Sequence, residues 1–157
     1  MPPGTRYWLM KSEPDEASID DLAMAPQGIM AWTGVRNYQA RNFMRDAMRE
    51  GDGVLFYHSS CAAPGIAGLA EIAGHVAPDP TQFDPQSPYH DPASQHLKPR
   101  WLQIDVRYVR KTRLLTLAEM RQIPNLASLQ VLRRGNRLSI TPVSPAEWQA
   151  VLAVLAQ

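Results

Sequence analysis

The stretch Trp101-Leu102-Gln103-Ile104-Asp105-Val106-Arg107-Tyr108-Val109-Arg110 alternates, with Leu102, Ile104, Val106 and Tyr108 on one side and Gln103, Asp105 and Arg107 on the other. Successive side chains of a strand point to opposite faces, so the pattern predicts a strand over 101–110 with one face on a core and one in water. Working back from it, Gly65 to Val76 reads as a second strand in which Gly68 and Gly74 suggest bends or close backbone approach. Val54-Leu55-Phe56-Tyr57 is a compact apolar strand, Ile29-Met30-Ala31-Trp32 a short extended stretch, and Arg6-Tyr7-Trp8-Leu9-Met10-Lys11 an opening strand ended by Pro14.

Helices interrupt these strands. Ala40, Phe43, Met44, Ala47 and Met48 recur at the spacing of an amphipathic helix that starts at Asn37 and is closed by Gly51. Ser18 with Asp21 three residues later marks a short helix start, and Thr116 with Glu119 and Ser144 with Glu147 are two capping boxes. The last opens a C-terminal helix with Pro145 in its first turn and an apolar stripe of Trp148, Val151, Leu152 and Leu155. The interleaving lacks the βαβ rhythm of a doubly wound sheet, and no repeat or Gly-rich phosphate loop is present. The expected class is α+β with a curved sheet or barrel.

Composition bounds the rest. The 157 residues suit one domain, and 45% hydrophobic with 20% charged residues is a globular profile. A chain of this length buries roughly 70% of its extended surface, enough to fold without staples. A lone Cys61 forms neither an internal disulfide nor a cysteine metal cluster, which favours a reducing compartment. No apolar run approaches a membrane span, and Met1-Pro2-Pro3-Gly4-Thr5-Arg6 lacks a signal peptide's apolar segment, so a cytoplasmic location is expected.

The net charge of +1 is unevenly spread: residues 1–95 carry 6 Lys+Arg against 12 Asp+Glu, and residues 96–157 carry 10 against 3. Thirteen of the sixteen cations are arginines, whose planar fork suits phosphate and aromatic stacking. A local anion-binding face is expected, not an indiscriminate nucleic-acid coat. Between Ala77 and Pro99 lie Pro78, Pro80, Pro85, Pro88, Pro92 and Pro99, with Phe83 and Tyr89 among them. A long loop that carries aromatic residues is expected to be ordered and to cross the surface at about 77–99.

Several clusters could carry chemistry. Trp32-Thr33-Gly34-Val35-Arg36-Asn37 sets an aromatic, a glycine turn, an arginine and an amide at a helix start, where unpaired N–H groups hold a phosphate or a base edge. Trp32 is either a stacking platform or ordinary core. Arg41, Arg45 and Arg49 form a stripe that faces phosphate, or is balanced by the interleaved Asp46 and Glu50. Lys11-Ser12-Glu13 offers a cation, a hydroxyl and a carboxylate in succession, which suits either a base edge or a surface turn. His58 and Ser59 adjoin at a strand end but point to opposite faces, against a nucleophilic pair. His90, Asp91 and His96 match no zinc spacing. Arg133-Arg134-Gly135-Asn136-Arg137 grips a backbone phosphate or caps a preceding helix.

Together, Tyr7-Trp8-Leu9-Met10-Lys11-Ser12-Glu13-Pro14, Trp32-Thr33-Gly34-Val35-Arg36-Asn37-Tyr38-Gln39-Ala40-Arg41-Asn42-Phe43-Met44, Gly51-Asp52 with Leu55-Phe56-Tyr57-His58-Ser59, Gly65-Ile66-Ala67-Gly68, and Arg137-Leu138-Ser139-Ile140 with Pro142-Val143 resemble the EVE domain, in order along nearly the whole chain. The EVE domain is related to thymocyte nuclear protein. The resemblance implies a single PUA-like domain over 1–157, a mixed β pseudobarrel flanked by short helices and shared with PUA, ASCH and YTH domains. It also implies a reader of a modified base in DNA or RNA, held in an aromatic-walled pocket.

By analogy with YTH relatives, Trp32 matches one wall and Tyr89 is chosen as the second, with Phe83 next. Lys11, Ser12 and Asn37 match the polar floor, and His58 and Ser59 the neighbouring strand end; Glu13, beside Ser12, is a further pocket candidate. Arg36, Arg41, Arg133, Arg134 and Arg137 are the phosphate candidates. No catalytic residue, metal or cofactor is expected, and the partner is a nucleic acid carrying a modified base. Two alternatives stand beside this. One is an amidohydrolase-like enzyme acting on modified nucleosides, since some ASCH relatives use a lysine, a hydroxyl residue and a glutamate. The other is a protein-interaction adaptor.

Overall fold

A computed structural model describes residues 4–157. Seven strands, β1 (Tyr7–Ser12), β2 (Ile29–Trp32), β3 (Gly53–His58), β4 (Gly65–Ile72), β5 (Ala77–Pro78), β6 (Leu102–Thr116) and β7 (Ile140–Val143), form a mixed, open sheet. Its order is β2-β6-β4-β3-β1-β7, with β5 pairing separately to β6; β1 and β3 run parallel and every other pair antiparallel. Four short helices, α1 (Ile19–Met24), α2 (Tyr38–Asp46), α3 (Leu117–Met120) and α4 (Pro145–Leu155), cover it.

The inner strands are buried on both faces, which is why they read as unbroken apolar runs. In β1 and β3, Trp8, Met10, Val54 and Phe56 join one core cluster with Ile19 and Leu22 of α1 and Ala40 and Met44 of α2. Tyr7, Leu9, Leu55 and Tyr57 join a second cluster with Met120 of α3 and Trp148, Val151 and Val154 of α4. Burying a side chain of this kind contributes about 1.5–3 kcal/mol, so the alternation along two six-residue strands fixes the register of both layers. Gly68 lets α1 approach: a Cβ there would lie 2.5 Å from the Ile19 side chain and 2.9 Å from the Arg110 carbonyl oxygen.

Some boundaries depart from the sequence reading. The strand expected over 101–110 runs on to Thr116, and β4 stops at Ile72. Register shifts between Ile66 and Gly68 and between Leu69 and Ala70 break the two-residue parity of the β4–β6 ladder. α2 ends at Asp46, before Gly51, because Ala47 leaves helical geometry. The helix expected before Arg133 is instead two 3-10 turns, Pro124–Leu126 and Gln130–Leu132, and the last strand, β7, begins at Ile140. Ser18/Asp21 and Ser144/Glu147 close full capping boxes, whereas Thr116 caps α3 alone while the Glu119 carboxylate pairs with Arg113.

Laid flat, β2 and β7 would stand roughly 24 Å apart at normal strand spacing. Yet Trp32 of β2 and Ile140 of β7 belong to one contiguous core cluster. The sheet therefore wraps around that core without closing, leaving its two edges facing a common space.

Candidate functional site

That space is a cavity of about 500 Å³. One side is β2 and the turn after it, from Met30 through Trp32 to Val35. Opposite lie Lys11, Ser12 and Glu13, where β1 leaves the sheet, with Ser139 and Arg137 leading into β7. Ser59 and Ser60, followed by the exposed Cys61, form a third side, and Tyr89 reaches in from the proline-rich segment.

Trp32 is at once platform and core. The residue is 7% exposed and its ring meets Phe56 edge to face at 5.3 Å, so the core holds the ring while the residue also lines the cavity. Tyr89 is held from three directions. Its hydroxyl donates to the Glu16 carboxylate at 2.6 and 2.7 Å, its carbonyl oxygen accepts from Arg36, and its ring lies on Gly34. A Cβ at Gly34 would sit 2.8 Å from that ring, and φ is +79°, so both the space and the backbone require glycine here. Burial, and then the Glu16 bond, push the Tyr89 phenol up to about 12.

Lys11 is half-buried, and burial lowers its pKa. Its backbone N–H donates to Ser139 at 2.8 Å, tying β1 to the approach of β7. The Ser12 hydroxyl donates to the Ala17 carbonyl oxygen at 2.7 Å and keeps lone pairs free to accept. The exposed Glu13 borders the same cavity.

Four residues singled out from the sequence have other work. Asn37 is exposed and outside the cavity lining, because its Oδ1 accepts from the Ala40 N–H at 3.0 Å as the cap of α2. His58 also stands apart, since its Nε2 accepts from the Ile19 N–H at 3.1 Å and its ring meets Phe56 at 5.7 Å. Burial holds its pKa below the usual value. Strand alternation thus sends Ser59 to the cavity and His58 to the start of α1.

Arg36 is consumed internally. It donates to the carbonyl oxygens of Val35 and Tyr89, to Thr81 Oγ1 and, at 3.1 Å, to Asp79. Asp79 is fully buried and accepts from Gly34, Arg36 and both donors of Thr81. Burial alone would raise its pKa; the bonds from Thr81, Gly34 and Arg36 outweigh that and lower it. Arg36 is therefore a clamp, not an open phosphate contact. Arg41 likewise donates to the Arg100 carbonyl oxygen and to Asn42, and its guanidinium lies 4.8 Å from the Tyr38 ring. Arg133, Arg134 and Arg137 are exposed and make no ion pair with the described residues. Arg137 stands at the cavity itself.

The sequence reading gave no pocket role to Glu16, Ser60, Ser139 or Asp79. Asp79 carried a faint signal, an acid between two prolines, but its partner lies 43 residues away. Among the described residues no group of histidine, cysteine and carboxylate side chains is spaced to hold a metal, and no helix is long and apolar enough to cross a membrane.

Comparison with known proteins gives the site a context. The family model described as the EVE domain matches residues 6–154. Thymocyte nuclear protein 1 of Homo sapiens is 41% identical over 165 residues, spanning 94% of this chain and 73% of that protein. Among solved structures, protein PSPTO5229 from Pseudomonas syringae is similar at a TM-score of 0.90 and 48% identity, covering 94% of this chain and 98% of that one. Human THYN1 protein, solved in complex with 5-methylcytosine containing DNA, is similar at 0.91 and 40% identity, covering 98% and 99%.

Proposed function

Because the chain belongs to the EVE domain family, we propose that it binds nucleic acid and reads a modified base held in the cavity between its sheet edges. The observation that carries this is the cavity's construction: two anchored aromatic side chains, Trp32 and Tyr89, border a space that also offers Lys11, Ser12, Glu13 and Ser59. A volume of about 500 Å³ lies within the roughly 300–1,000 Å³ of small-ligand sites, which suits one extruded base and not a stretch of duplex. The DNA-bound human relative supports methylated cytosine as the first base to test.

The cavity lining supports a division of labour. Trp32 and Tyr89 give apolar surface to a flat ring, and a methyl group that fills remaining space adds about 0.8 kcal/mol. Lys11 donates to a base edge, Glu13 accepts from one, and the serine hydroxyls do either. Arg137 at the cavity, with Arg133 and Arg134 four and three residues before it, takes the flanking phosphates. This is binding without turnover, in a reducing, cytoplasmic setting.

The test is a titration with paired oligonucleotides that differ only by the cytosine methyl group. Tyr89→Ala removes one wall without opening the core, and Trp32→Phe keeps the other ring position filled. Both variants should lose preference for the methylated strand while remaining folded. Unchanged preference in both would take the base out of this cavity.

A further inference from the structure

A base can enter the cavity only after leaving its stack, and in a duplex the vacated space must be filled or left open at a cost in stacking. The proline-rich segment carries a side chain suited to fill it. Leu97 is fully exposed. One exposed leucine is ordinary on a protein surface and means nothing alone. Leu97, however, stands on a built tip. The turn Gln95-His96-Leu97-Lys98 is closed by the Lys98 N–H donating to the Gln95 carbonyl oxygen at 3.0 Å, and the same two residues form an antiparallel bridge. The His96 ring stacks on Phe83 at 3.8 Å.

The tip and the cavity wall share one anchor. Ser94 Oγ donates to Gln82 Oε1 at 2.6 Å and accepts from the Arg100 N–H. Gln82 is fully buried, and its Nε2 donates to the Asp79 carbonyl oxygen at 2.7 Å. Asp79 in turn holds Gly34 and Arg36, the two residues that set Tyr89. Exposed Lys98 follows the leucine directly, and exposed Arg100, its guanidinium 3.8 Å from Asp91, stands three residues after it, so an apolar point is followed by cations that suit phosphates.

We propose that Leu97 is a wedge that enters a duplex and takes the stacking space vacated by the base held in the cavity. This rests on the base-reading function above and adds that the substrate can be double-stranded. A wedge of this kind acts only where there is a stack to open.

The experiment uses the full chain with duplex and single-stranded oligonucleotides, each with one 5-methylcytosine beside a fluorescent aminopurine that brightens when its neighbour unstacks. Leu97→Ala should weaken duplex binding on the order of tenfold, keep single-strand binding within about twofold, and abolish the aminopurine rise. Leu97→Met, still apolar, should restore both. Equal effects on the two substrates, an unchanged duplex affinity, or a wild-type complex with no aminopurine rise would each overturn the wedge. Failure of the cavity reading shows separately, as wild-type protein that treats methylated and unmethylated single strands alike; that result removes both proposals.

Discussion

Arg36 Nε and Nη2 both donate to the carbonyl oxygen of Tyr89, at 3.0 and 2.7 Å, across 53 residues of sequence. The cation after β2 thus fixes the aromatic wall contributed by the proline-rich segment. Arginine does this better than lysine because two N–H groups of its fork reach one acceptor while Nη1 reaches Asp79.

Arginines with different surroundings should therefore fail differently. Arg134→Ala, at an exposed cation, should weaken methylated and unmethylated strands alike and lower the slope of log affinity against log salt by about 0.7 on single strands. Arg36→Ala should leave that slope unchanged, lower the thermal midpoint and erase the preference for the methylated strand. Titrations at several salt concentrations, with melting curves, check both.

Gly34→Ala meets two penalties, a backbone at φ +79° and a Cβ 2.8 Å from the Tyr89 ring. The expected loss is about 1–3 kcal/mol of stability, together with displacement of the wall. Adding Tyr89→Ala removes the collision but not the backbone strain, so the double variant should be more stable than the two single losses summed. Denaturant unfolding of all four proteins measures that coupling.

His58 is held neutral in the fold, first by burial, and its Nε2 accepts from Ile19. Its folded pKa lies below the unfolded value of about 6.5, so its contribution is complete above that pH and is lost as pH falls towards the folded value. His58→Gln retains an acceptor for the Ile19 N–H and does not titrate. Melting temperature should fall less between pH 7 and pH 5 in the variant than in wild type; parallel curves would exclude His58 as the source.

Asp79→Asn should cost about 3 kcal/mol, because an amide cannot serve as a charged acceptor for the Thr81, Gly34 and Arg36 donors together. The carboxylate's pKa is lowered in the fold, so its stabilisation is present above the unfolded value near 3.9 and fades as pH drops through the folded one. Acid unfolding of wild type should carry this component, and the asparagine variant should lack it.

Much of the scaffold was legible because local chemistry and tertiary packing agree. The apolar runs 7–10 and 54–57 are strands buried on both faces, and Ala40 and Met44 sit on the core side of α2. The far half of β6 was not legible. The strand's buried residues are Ile104 and Val106 in the near half and Thr112 and Leu115 in the far half, and the step from Thr112 to Leu115 breaks the alternation that the ladder's register shifts interrupt.

The site was harder to read, since one residue type serves several ends. Asparagine before a helix suits a base edge and an N-cap equally, and Asn37 is the cap. A strand-end histidine suits a ligand or a backbone acceptor, and His58 is the acceptor. Lys11, Ser12, Trp32 and Tyr89 do reach one cavity, but the Asp79–Arg36 clamp behind Tyr89 joins distant segments and leaves no local pattern. The order of the proline-rich segment likewise comes from buried Gln82 and Asp79, whose roles composition conceals.

Cys61, exposed and next to Ser60 at the rim, gives the molecule a convenient handle. As the sole sulfhydryl of the chain, it accepts a nitroxide or dye at one defined point without any prior mutagenesis. A tag tethered there would change its tumbling when an oligonucleotide arrives, turning occupancy of the neighbouring hollow into a direct spectroscopic signal.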